Sequence, residues 1–320
     1  MNMRILFFVL VFTLARGPVL CAEPDMDPNL RRVAIFGTTD DRKELWSVPD
    51  IIRKLAGSTV AVFTKIKESY PNQLASASSS GALVGDDLVL MSGHALWPYK
   101  AMGEPQQKTC GDLLFVFGYY EYSYMNFPAD DIYSCKKVLA QRAQDADNNF
   151  LCSSGRCEYY AVDGYGPDYA VIQLDRPVRN RTALAIGRTD VKGGEKIFTI
   201  GYPDGGPVKI TDNCSVMSIA NGYFTTELDA FHGNSGGPVF DAETLKVVGI
   251  AVRGQRDDYV DGKPRKADRD DPYTHVTLSS EFERWIPSAK KETGGASGNN
   301  LSPAVFHPQR PPAAYPENGI

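Results

Sequence analysis

Gly233-Asn234-Ser235-Gly236-Gly237-Pro238 is the stretch on which the reading of this chain turns. Its glycines let the backbone turn tightly enough for two amide N–H groups to converge on one point. A β-prone pair, Val239-Phe240, follows it. A serine hydroxyl is a weak nucleophile at neutral pH, so chemistry at Ser235 requires a base.

Two other segments supply what such a serine needs. Ser92-Gly93-His94-Ala95 follows one β-run, and Asp168 opens another, Tyr169 to Leu174. Histidine has the pKa range to take the serine's proton and return it to a leaving amine. A buried carboxylate would fix the imidazole tautomer and stabilise the charged ring. The candidate roles are therefore Ser235 as nucleophile, His94 as general acid/base and Asp168 as orienter. The N–H groups of Gly233 and Ser235 are the candidate donors to a developing oxyanion. Taken singly, His94 and Asp168 are weak signals, since a histidine after a strand is usually structural and an aspartate often caps a turn. Asp163 competes locally with Asp168. The other three histidines, His232, His275 and His307, all follow Asp168 and so break the order His, Asp, Ser.

Around these segments the chain is a succession of short apolar runs punctuated by Gly, Asp and Pro. Thr59–Phe63, Gly81–Gly85, Leu88–Met91 and Leu113–Tyr119 read as strands, with Asp86-Asp87 as a hairpin turn. Tyr169–Leu174, Lys196–Gly201, Val208–Ile210, Tyr223–Leu228, Val239-Phe240, Val247–Val252 and Thr274–Leu278 follow. Asp50–Leu55 suits a short helical turn, and Val138–Phe150, polar and rich in Ala and Gln, is helix-tolerant. Ser280 and Glu283 form a capping-box pattern ahead of Phe282, Trp285 and Ile286, which predicts a C-terminal helix. Many short strands without βα alternation predict an all-β fold, and the strand count suits two six-stranded antiparallel barrels.

The 320 residues carry 42% apolar and 23% charged side chains with a net charge of −5. That composition suits a large core and gives no electrostatic reason to expect nucleic acid. Arg4 and the apolar run Ile5–Leu14 read as a secretory signal, cut after Ala22, because the run is shorter than the ~20 residues a spanning helix needs. The expected destination is extracellular or periplasmic, with no stable membrane association after cleavage. Cutting there leaves Cys110, Cys135, Cys152, Cys157 and Cys214. An oxidising compartment favours disulfides. Cys110–Cys135 and Cys152–Cys157 are the expected pairs, with Cys214 left over, although sequence alone does not fix the connectivity. No histidine lies near the cysteine cluster, so no metal site is expected, and no cofactor is implied. The domain plan is a signal (1–22), a lead-in (23–57), one domain (58–288) with an insertion at about 100–162, and a disordered tail (289–320). Arg253–Pro272 reads as an exposed charged loop.

Ser80-Gly81-Ala82-Leu83-Val84, Val89-Leu90-Met91-Ser92-Gly93-His94, Asp168-Tyr169-Ala170-Val171 and Gly233–Pro238 occur in the order of the signature segments of the trypsin-like serine proteases, which the chain resembles from about Asp40 to Trp285. Asp40-Asp41-Arg42 and Ile200-Gly201-Tyr202-Pro203 look like the bacterial branch that includes glutamyl endopeptidases. The resemblance implies a chymotrypsin-like double barrel, peptidase activity on proteins or peptides, and the triad roles assigned above; a monomer is expected. Ala95 stands where many animal members carry a cysteine. Asn234 stands where zymogen-activated trypsins carry the aspartate that pairs with a new N-terminus. Asp229 lies six residues before Ser235, where trypsins place the acid at the base of the specificity pocket, so a preference for Arg or Lys before the cut is expected. Glutamate-specific relatives have a histidine where this chain has Ala251. The competing function is a catalytically silent homologue that binds peptides or proteins in the same cleft. An esterase-type hydrolase would place the serine first, on a Gly-x-Ser-x-Gly elbow.

Overall fold

The long β-runs bury both of their faces, and this decides the architecture. In Thr59–Lys65, Val60 and Val62 face one core while Ala61 and Phe63 face another, as the two-residue period of a strand requires. In Asp168–Leu174, Ala170, Ile172 and Leu174 join the first core, and Tyr169 and Val171 the second. A sheet buried on both faces can close on itself around one core and pack its outside against a neighbour. This chain does so twice.

The structure is a computed structural model. It describes residues 40–65, 74–96, 98–101, 104–107, 110–121, 127–144, 148–153, 156–161, 166–187, 190–254, 259–260, 263–264 and 273–287. The expected signal segment and tail lie outside the described residues, as does most of the charged stretch Arg253–Pro272. The strands of the first half are β1 (Arg42–Glu44), β2 (Thr59–Lys65), β3 (Leu74–Leu83), β4 (Leu88–Met91), β5 (Pro98–Ala101), β6 (Glu104–Gln107), β7 (Leu113–Phe117), β8 (Ile132–Gln144), β9 (Asn148–Ser153), β10 (Arg156–Ala161) and β11 (Asp168–Leu174). Those of the second half are β12 (Lys196–Gly201), β13 (Lys209–Ala220), β14 (Tyr223–Thr226), β15 (Pro238–Asp241), β16 (Val247–Arg253), β17 (Tyr259–Val260), β18 (Lys263–Pro264) and β19 (Thr274–Leu278).

The first barrel runs β8-β11-β4-β3-β2-β7 and closes through the β7–β8 ladder. The second runs β13-β12-β15-β16-β19-β14 and closes through β13–β14. Both are six-stranded and antiparallel, as the sequence predicts. Val60, Val62, Val89, Met91, Phe115 and Ile172 fill the first. Ile197, Val216, Phe224, Val239, Val248 and Val276 fill the second. A third cluster, with Phe63, Tyr169, Ile200, Tyr202, Phe240 and Phe282, glues the barrels together. The lead-in docks on the second barrel before the chain builds the first: β1 pairs with β13, Arg42 opposite Thr211 and Glu44 opposite Lys209. Helix α1 (Asp50–Ala56) then leads into β2. Among the described residues no helix is long and apolar enough to cross a membrane.

Two expectations change. Val138–Phe150 is mostly strand, because β8 pairs with β7, β11 and β9 and buries Ala140, Gln141 and Ala143. That tertiary gain outweighs a helix preference of a few tenths of a kcal/mol per residue. The C-terminal helical segment takes the form of two 3-10 turns, Ser279–Glu281 and Glu283–Trp285, with no side-chain cap on either. The span expected as an insertion contains the barrel strands β7 and β8, while β5–β6 and the β9–β10 hairpin extend beyond the barrel. Cys110 and Cys135 form a disulfide between the turn before β7 and β8. Cys214 is free and buried, and burial among acidic neighbours pushes its thiol up to about 12. The backbone register sets Cys152 opposite Cys157, but their side chains lie outside the described ones.

Candidate active site

His94 sits in the 3-10 turn Gly93–Leu96, directly after β4. The turn is wedged against its neighbours: a Cβ on Gly93 would overlap the Arg142 carbonyl of β8, and Gln141 Nε2 donates to the Gly93 carbonyl at 2.9 Å. Only glycine fits, so the glycine before the histidine has a packing reason.

Asp168 opens β11 and is fully buried. Its Oδ1 accepts the amides of Gly93 and His94 at 2.7 and 3.0 Å. Its Oδ2 lies 2.6 Å from His94 Nδ1. Thr277 of β19 holds its backbone, accepting from the Asp168 N–H and donating to the Asp168 carbonyl, both at 3.0 Å. Burial alone pushes this carboxyl up. The His94 ring, the Arg253 guanidinium and the donated amide outweigh it and hold the group below the usual carboxylate range. An ionised Asp168 accepts only, so it selects the His94 tautomer with the proton on Nδ1 and leaves Nε2 as the basic nitrogen. Asp163, the local alternative, lies outside the described residues.

Ser235 belongs to the second barrel, in the loop before β15. Gly233 and Gly236 take left-handed φ values of 96° and 87°. Neither has room for a Cβ, which would overlap the Tyr202 carbonyl at Gly233 and the Ser80 carbonyl at Gly236. The loop is clamped from β3 of the first barrel. Ser80 N–H and Ser79 Oγ donate to the Ser235 carbonyl at 2.8 and 2.5 Å. Ser80 Oγ donates to the Gly233 carbonyl at 2.7 Å and accepts from Tyr202 N–H at 2.9 Å. Peptide planarity turns two further bonds into aiming devices. Asp204 N–H holds the His232 carbonyl at 2.6 Å, which orients the Gly233 N–H the other way. Gly237 N–H holds the Asn234 carbonyl at 2.8 Å and so orients the Ser235 N–H. Among the described residues, neither the Gly233 nor the Ser235 amide is spent on a protein acceptor. The Ser235 hydroxyl points at the Val252 carbonyl, 3.5 Å away, and is not hydrogen-bonded to His94.

Asp229 is buried, and its Oδ2 accepts the Asp41 N–H at 2.9 Å across 188 residues of sequence. Arg42 lies alongside, its guanidinium 3.7 Å from the centre of the Phe231 ring and bonded to Asp40 and Asp204. The lead-in therefore reaches the carboxylate expected at the pocket base. The residues that sequence reading missed are those contributed across the barrel junction: Ser79, Ser80, Thr277 and Arg253. Ser80 opens one of the signature segments and Arg253 stands out as the one charge on the otherwise apolar strand β16, but neither signal names a partner.

Two closed antiparallel barrels, with a His–Asp pair on one and a glycine-bound serine on the other, define the class of the chymotrypsin-like fold. The family sequence model for the trypsin-like peptidase domain matches residues 80–250, just over half the chain, and the chain belongs to that family of serine proteases. No curated protein sequence matches it. Among solved structures, a Glu endopeptidase in complex with MPD is similar at 18% identity and TM-score 0.49, covering 79% of this chain and 97% of that one. The Vibrio cholerae VesB protease is similar at 16% identity and TM-score 0.46, covering 72% and 63%.

Proposed function

We propose that this chain is a secreted, monomeric serine endopeptidase that cleaves proteins or peptides through Ser235, His94 and Asp168. The observation that carries the reading is the buried Asp168 carboxylate, which holds His94 Nδ1 with one oxygen and two turn amides with the other. That arrangement fixes a base with its second nitrogen available. Ser235 Oγ attacks the scissile carbonyl and His94 Nε2 takes its proton. The Gly233 and Ser235 amides receive the oxyanion of the tetrahedral intermediate. Collapse breaks the C–N bond, and His94 returns the proton to the departing amine. Water, deprotonated by the same nitrogen, then hydrolyses the acyl-enzyme. The bond from Ser235 to the Val252 carbonyl must be exchanged for one to His94, a change of serine rotamer; such bonds often tighten only with substrate bound.

Turnover of a peptide library tests this. Ser235→Ala and His94→Ala should each lower kcat by a factor on the order of 10⁶. Retained turnover in either variant would contradict the assignment. The Val252-facing hydroxyl also favours a second reading, a silent homologue that binds peptides without cutting them. Saturable peptide binding with no cleavage at any pH by the mature wild type would select it.

For specificity, Asp229 supports a preference for Arg or Lys before the cut, through charge pairing at the pocket base. The Asp41 amide already occupies one of its oxygens, so the expected preference is weaker than an unshared carboxylate would give. The library profile should show Arg and Lys enriched in the wild type and not in Asp229→Asn. A flat or acidic profile in the wild type contradicts it, and assigns Asp229 to holding the lead-in.

A further inference from the structure

β16 is apolar from Val247 to Val252 and ends on Arg253, whose side chain is 17% exposed. Its guanidinium is turned inward. Nη1 donates to the Gly166 carbonyl at 3.2 Å, just before β11, and Nη2 lies 3.5 Å from Asp168 Oδ2. That oxygen is the one that holds His94 Nδ1. One carboxylate therefore serves a ring that gains a positive charge during the reaction and a guanidinium that is permanently charged.

We propose that Arg253 is an electrostatic positioning residue of the site, which steadies Asp168 and sets where turnover is lost on the acid side. The inference rests on the reading of His94 as general base. A like charge beside a titrating group disfavours its charged form, and a shared counter-ion stabilises each partner less than an exclusive one. Arg253 does both to the His94 imidazolium. The positive charge that the ring gains in the reaction therefore has a like charge beside it and a counter-ion it does not hold alone. Among the described residues, the other charged groups on the surrounding elements have contacts of their own. Arg142 of β8 pairs with Glu281 at 3.2 Å. His275 of β19 stacks on Tyr223 with ring centres 4.7 Å apart. In the nucleophile loop, Asp229 is bonded to the lead-in and His232 is exposed. The turn that carries His94 has no other charge.

The test is the pH profile of kcat/KM on an uncharged peptide substrate for the wild type, Arg253→Met and Arg253→Lys. In Arg253→Met the acid limb should move up by about half to one pH unit, and in Arg253→Lys by less, because the charge is kept. A limb that does not move in Arg253→Met, or moves as far in Arg253→Lys, overturns the proposal. If Arg253→Met does not fold, Arg253→Gln removes the same charge with a polar side chain and is read in the same way. A structural role alone would lower the plateau or the yield without displacing the limb. An active wild type with an unmoved limb overturns this inference only, whereas a wild type that cuts nothing overturns the reading beneath it as well.

Discussion

Asp168 carries more of the proposed chemistry than any other side chain except the serine. Its four donors come from two barrels: the Gly93 and His94 amides and the His94 ring from the first, and Arg253 from the second. Asp168→Asn keeps the shape but accepts from His94 with a neutral amide and favours the wrong tautomer. kcat should fall by about 10⁴, the size of effect known for this change in a serine-protease triad. The same group sets a stability difference with a definite sign. Its folded pKa is depressed, so its stabilisation is full above the unfolded value of about 4 and is lost as pH falls through the lower folded value. Melting temperatures of wild type and Asp168→Asn should therefore converge as pH drops below about 4. A gap that stays constant to pH 2 would contradict the ionised, bonded carboxylate. At this scale the sequence was most legible: His94, Asp168 and Ser235 each sit in a short segment with a glycine or a strand start beside it. The partners of Arg253 and Ser80 were not legible, because they lie 85 and 153 residues away and meet them only when the barrels pack.

Between elements, the bond network that matters most runs from β3 to the Ser235 loop. The Ser80 hydroxyl joins Tyr202 N–H to the Gly233 carbonyl in a fully buried position. Ser80→Ala leaves both groups without that partner, which costs about 1–3 kcal/mol. Denaturant unfolding should register that loss. Steady-state kinetics should show a lower kcat with a smaller change in KM, since the loop that carries both proposed oxyanion amides is loosened while most of the cleft is untouched. Unchanged stability and kcat would remove the clamp from the account. Strand existence was readable here from apolar runs bounded by Gly, Asp and Pro; Lys196–Gly201 and Thr274–Leu278 have the ends the sequence predicts. β8 was not, because Val138–Gln144 lacks a strand's usual composition and becomes a strand only through its partners on both sides.

For the whole molecule, closure is the decisive property. Two six-stranded barrels follow from the count and spacing of strands, but neither the β7–β8 and β13–β14 closures nor the docking of β1 on the second barrel has a local signal. Those contacts join segments up to about 170 residues apart and are set by which buried faces fit together. Cys110–Cys135 braces the first closure, linking the turn before β7 to β8 across a sequence separation of 25 residues. By the loop-entropy relation a cross-link of that span stabilises by about 3.5 kcal/mol. Thermal melts with and without a reductant should differ by several degrees, the reduced form melting lower. Coincident melts would mean that the bridge adds nothing to the folded barrel.

The proposed chemistry stands or falls on Ser235 being an activated nucleophile. It is tested most directly by treating the mature protein with a fluorophosphonate probe and locating the adduct by mass spectrometry. The prediction is a single adduct on Ser235, absent in Ser235→Ala and slowed by several orders of magnitude in His94→Ala. A folded, mature wild type that takes no label, or takes it on another residue, would contradict the claim.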